Sequence, residues 1–259
     1  MNLNDLSQPS FWAALVSEKS SKIPLVVVLP SGRCRLATSG HLALISDALH
    51  THEIVIAIDD LGRKGGTAGV EVHSMLDIDY YDFLAEYRAT DGNPDQSLFG
   101  FYDFNVVDAN LLLLATADIN VVTKLVLEEC KSEENYGVGF KKPYESCMIV
   151  GATGKTYAVT AYPNVGVLAM YPVPWINEGS RVVLLCGGVL APGTLGANVL
   201  LQQYLSGNGD GNNRANQDLP VKIVSAYVRD YRHVSLLPTA ECIPNHELRN
   251  IRTEIVIHE

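Results

Sequence analysis

Short runs of consecutive apolar residues alternate along this chain with segments whose apolar positions recur every three or four residues. IPLVVVLP (23–30) is rich in β-branched residues and closes on proline, which reads as a strand buried on both faces. HLALISDALHTH (41–52) carries Leu42, Ile45 and Leu49 at helical spacing, and EIVIAIDD (53–60) reads again as a strand. Strand, loop, helix, strand is the pattern of a parallel βαβ unit. Farther on, VEVHSM reads as a short strand, and DYYDFLAEYRAT (79–90) as an amphipathic helix with Tyr80, Phe83, Leu84 and Tyr87 on one side. NLLLLAT (110–116) predicts a buried strand, and VVTKLVLEECK (121–131) a helix after the turn ADIN.

The texture changes over 146–174, where three short apolar runs joined by tight turns predict an antiparallel meander. A strand follows at 182–188, then a helix after the turn GGVLAPGT, then strands at 221–231 and 252–259, the last at a sheet edge. The expected fold is α/β: a three-layer, Rossmann-like, mostly parallel sheet with a small antiparallel meander. One domain over 1–259 accommodates it, comprising a docking helix in 1–22, the first βα units in 23–145, the meander in 146–175, and the final βα unit with edge strands in 176–259.

Composition narrows the function classes. With 47% hydrophobic and 19% charged residues the 259-residue chain has ordinary globular make-up, and a formal charge of −10 argues against generic nucleic-acid binding. Five widely spaced cysteines without a C-x-x-C pair fit a reduced, cytoplasmic setting and no metal site. Neither a signal peptide nor a membrane-spanning run is expected, and no cofactor is implied.

Candidate chemistry collects in three turns that would follow parallel strands. Thr38, Ser39 and Gly40 lie in the first, Asp118, Asn120 and Thr123 in the second, and Gly187, Gly188, Gly193 and Thr194 in the third. If these turns share the carboxyl edge of the sheet, unpaired amides at three helix N-termini could hold a small anion. Arg33, Arg35, Arg63 and Lys64, in two loops after presumed parallel strands, would close over it. Thr194 is expected to cap the third helix. With its N-x-x-T and A-P-G-T turns, the chain broadly resembles Rossmann-like or periplasmic-binding-like sensor modules. That resemblance concerns architecture alone.

The leading expectation is therefore a binding or sensing module for a small anionic ligand, most plausibly a nucleotide or a nucleotide-derived signal. A hydrolase acting on a nucleotide or glycosidic bond is the alternative, with Glu71, His73 and Asp59 as acid/base candidates. A self-assembling subunit, a homo-oligomer through the strand at 252–258, is the third. GATGKT (151–156) lacks the first glycine of a phosphate-binding loop and precedes a strand-like run, so it reads as a hairpin turn.

Overall fold

The computed structural model describes residues 24–33, 41–43, 51–64, 71–90, 106–141, 148–151, 153–158, 161–162, 164–176, 181–206, 221–228 and 253–257. It is a mixed α/β structure around a seven-stranded sheet. In chain order the strands are β1 (Leu25–Leu29), β2 (Ser31–Arg33), β3 (His41–Ala43), β4 (Val72–Leu76), β5 (Asn110–Leu114) and β6 (Gly139–Lys141). They continue with β7 (Met148–Val150), β8 (Thr156–Ala158), β9 (Val165–Pro172), β10 (Val182–Gly188), β11 (Val221–Val228) and β12 (Thr253–Ile257). The helices are α1 (Thr51–Lys64), α2 (Asp77–Ala89), α3 (Val121–Glu129), α4 (Ser132–Tyr136) and α5 (Ala191–Ser206).

The large sheet has the order β12-β11-β9-β10-β5-β1-β4. β4, β1, β5 and β10 pair in parallel, while β9, β11 and β12 extend the sheet by antiparallel pairing. Alternation in β11 makes it point the same way as β10, so the sheet is mostly parallel. Side chains alternate between its faces, and both faces are covered. Val26, Val28, Leu111, Leu113, Val183 and Leu185 join Tyr80, Phe83 and Leu84 of α2 and Val122 and Val126 of α3 in one core cluster. Leu25, Val27, Leu112, Leu114, Leu184 and Cys186 join Ile54 and Ile58 of α1 and Leu200, Leu201 and Leu205 of α5 in the other. Each fully buried side chain of this size contributes about 1.5–3 kcal/mol.

Three sequence expectations are corrected. EIVIAIDD is not a strand but the first two turns of α1: Ile54 and Ile58, four apart, are buried while Ile56 between them is 46% exposed. Parallel neighbours such as β1 and β4 need a crossover, and α1 lies in it. In HLALISDALHTH, His41–Ala43 is a strand paired with β2 and only its last two residues begin α1; 44–50 lie outside the described residues. The small antiparallel sheet exists, with the order β6-β7-β8. Its third strand is β6, which precedes the expected meander at 146–175, whereas the apolar run at 165–172 enters the large sheet as β9. The docking helix expected in 1–22 lies outside the described residues.

Buried ionisable groups make the fold sensitive to alkali. Burial pushes the Cys130 thiol from the ordinary 9.0 up to about 12, with Glu129 adding to the shift. Burial likewise raises Cys186, Tyr80 and Tyr171, all in the core. Unfolding would release these protons near their ordinary values, whereas the folded chain retains them, so stability is full below about pH 9 and falls as pH rises beyond it. Urea unfolding midpoints measured at pH 8 and pH 10.5 should show a marked drop at the higher pH.

Candidate functional site

At the carboxyl edge of the parallel strands the chain leaves β1 into Ser31, leaves β4 directly into α2 at Asp77, and leaves β5 through 115–120 into α3. Strand order reverses here: from β1 the chain goes to β4 on one side, then crosses to β5 on the other. α1 and α3 pack on opposite core clusters, so the ends of β1 and β5 part around a crevice. An open groove of about 1010 Å³ begins there, lined among others by Ser31, Asp77, Asp118, Asn120, Lys124 and Phe140.

Two side chains build its floor. Asp77, only 3% exposed, accepts from the Ser31 amide at 2.8 Å and from the Val121 amide at 2.7 Å. It thereby ties the end of β1 to the first turn of α3. Asn120 is the N-cap of α3: its Oδ1 accepts from the Val122 and Thr123 amides, both at 3.0 Å. Its Nδ2 donates to the carbonyls of Leu114 at 2.8 Å and Val28 at 3.3 Å, bridging β5 and β1. Thr123 Oγ1 donates to the Ala115 carbonyl at 3.3 Å. Ala115 itself has φ 74, a left-handed conformation that costs an L-residue about 1–2 kcal/mol and turns the chain sharply off β5.

This floor changes the expectation of an anion seated on α3. The Val121, Val122 and Thr123 amides are all engaged, one by a carboxylate of the protein itself. The walls are mixed in charge: Asp118, Glu128, Glu133 and Glu134 line the groove with Lys124 and Lys131. Lys124 lies 3.8 Å from Glu128, in a pair open to solvent and worth little. The side chain of Glu133 lies over Gly139, and Phe140 of β6 reaches the space above Gly187.

The glycines after β10 serve another purpose. A Cβ on Gly188 would strike the backbone of Gly193 and Thr194; one on Gly193 would strike that of Val165, and one on Gly166 that of Gly193. The start of α5 thus presses backbone to backbone against β9 and β10. Thr194 does not cap α5, which begins at Ala191; Thr194 is buried inside the helix and its amide, like that of Gly193, bonds to the Leu190 carbonyl. Pro192 has no N–H to offer a ligand. None of Gly187, Gly188, Gly193 and Thr194 lines the groove.

Of the remaining candidates, Asp59, Arg63, Glu71 and His73 do not line the groove. Arg63 is exposed and bonds Asp59 at 2.7 Å; it lies within the last turn of α1 and not in a loop after a strand, so the reason for expecting it beside the first loop is gone. Lys64 ends α1 and Arg33 ends β2. Arg35, Thr38, Ser39 and Gly40 lie outside the described residues. Glu71 precedes β4 and its carbonyl accepts from the Leu25 amide at the amino edge; His73 Nε2 lies 3.2 Å from Glu71 Oε1. Five strand residues separate Glu71 from Asp77, about 17 Å of extended chain, which puts this acid/base pair at the far end of the strand.

Sequence reasoning missed the structural weight of Asp77, although an acid where a strand passes directly into a helix was a usable signal. It also missed Phe140, since nothing local ties β6 to the edge of the large sheet. Among the described residues no cluster of His, Cys, Asp or Glu could hold a metal ion, and no helix is long and apolar enough to cross a membrane. Comparison with family models, curated proteins and solved structures finds no match to this chain.

Proposed function

We propose that this chain is a binding module that takes a small polar ligand in the crevice at the carboxyl edge of a three-layer, Rossmann-like sheet. The observation that carries the reading is the position of the groove at the reversal of strand order between β1 and β5, where open α/β sheets bind their ligands. Its volume of about 1010 Å³ suits a small organic molecule. The left-handed Ala115 beside it is the kind of backbone strain that gathers at functional sites.

Ligand charge follows from the lining. A nucleotide or other small anion, the sequence expectation, would meet Asp77 where its phosphate should sit and more carboxylates than ammonium groups around it. The groove favours a ligand with a cationic or hydrogen-donating end toward Glu128, Glu133 and Glu134, and at most one anionic end toward Lys124 or Lys131. Catalysis is not part of the proposal, because Glu71 and His73 stand at the other end of β4. The proposed setting is a reducing compartment such as the cytoplasm, a reading supported by the buried free thiols of Cys130 and Cys186.

A thermal-shift panel of amino acids, polyamines, nucleosides and nucleotides tests this. A ligand at a hundred times its Kd should stabilise the fold by about 2.7 kcal/mol. The hit should be cationic, zwitterionic or neutral, and Glu134→Lys should weaken it. A nucleotide hit would restore the anionic reading, while a hit untouched by Glu134→Lys would move the site out of this groove. No shift with any compound at millimolar concentration would sink the binding module.

A further inference from the structure

β12 ends the large sheet, and among the described residues no strand pairs with its outer edge. Natural edge strands are blunted by lysine, proline, bulges or brevity. β12 reads TEIVI, with neither lysine nor proline, and its register with β11 runs unbroken from Thr253 to Ile257. Val256 is 48% and Ile257 49% exposed, and as consecutive strand residues they point to opposite faces, so apolar surface flanks the open edge on both sides.

The helix at the same end of the sheet matters as much. α5 packs against β9, β10, β11 and β12, and in sixteen residues, APGTLGANVLLQQYLS, it carries no charge. Its outward positions include the amides Gln202 and Gln203. A chain with net charge −10 repels its own copy over most of its surface. It can meet itself where charge is sparse, and the β12–α5 end offers such a region: α5 carries no charge and β12 only Glu254.

We infer that β12 pairs antiparallel with β12 of a second copy of this chain, joining the two sheets into one across a two-fold axis. With the axis at Ile255, Glu254 of each copy falls opposite Val256 of the other, and no carboxylate faces its equal. In-register parallel pairing would set Glu254 against Glu254. The antiparallel form is therefore self-complementary. This assembly is independent of the groove, which lies at the ends of β1, β4 and β5.

Size-exclusion chromatography with light scattering on the full chain, from micromolar to hundred-micromolar concentration, tests it. The expected mass is twice 28.2 kDa, and Val256→Glu should raise the dimer dissociation constant at least about tenfold by setting a second carboxylate opposite Glu254 of the other copy. If V256E does not fold, amide exchange of 253–257 in the unmodified chain replaces it: those amides should become more protected as concentration rises. A mass of 28.2 kDa at every concentration, a larger assembly, a dimer indifferent to V256E, or exchange independent of concentration would each overturn the inference.

Discussion

Gly188→Ala abolishes cooperative folding, or lowers the melting temperature drastically, while Gly187→Ala one residue away is tolerated. A Cβ at 188 points at the Gly193–Thr194 backbone, which belongs to the first turns of α5 and cannot swing aside as a side chain would. Relief would require lifting α5 off β9 and β10. That would also disturb the Gly166–Gly193 crossing and the burial of Leu195, Ala197 and Leu201. Overpacking a core against yielding side chains costs about 1–3 kcal/mol. Against backbone the penalty exceeds this, and a domain has only about 5–15 kcal/mol to lose. At 187 the added methyl would meet the Phe140 ring at 3.4 Å and the Ala115 carbonyl oxygen at 3.5 Å, which is ordinary contact. Thermal unfolding of the two variants checks this. Equal behaviour would show that α5 does not press on β10 in the manner described.

Asn120→Asp carries the second large effect, a loss of about 3–5 kcal/mol in urea unfolding, because it leaves a buried charge badly placed. The new carboxylate could still cap α3, but it would present an oxygen where Nδ2 now donates to the Leu114 and Val28 carbonyls. Acceptor would then face acceptor in a site with no solvent contact. The bridge between β1 and β5 would be lost, and the floor of the groove with it. A mild N120D would mean that the amide is not what holds the two strand ends together.

The contrast between Gly187 and Gly188 shows where sequence reading stops. Both glycines were visible, and a close backbone approach was a legitimate inference from them. Whether that approach was to a ligand or to the chain itself depended on β9, a strand that seemed to belong to a separate meander. Asn120 was legible as a helix cap, and it is one. Its second hand, on two strand carbonyls, was not legible, because Val28 lies 92 residues away. EIVIAIDD failed for a different reason: in a short run of β-branched residues the periods of strand and helix overlap, and only burial of Ile54 and Ile58 together decides between them.

Local patterning alone determined that this chain builds a mixed α/β core: the runs LVVVL, NLLLL and VVLLCGG can satisfy their backbones and hide both faces only inside a covered sheet. Tertiary structure decided which turns meet, which amides are already taken, and which strand is left at the border. Those outcomes depend on contacts between residues far apart in the chain, and no window of neighbouring residues contains them.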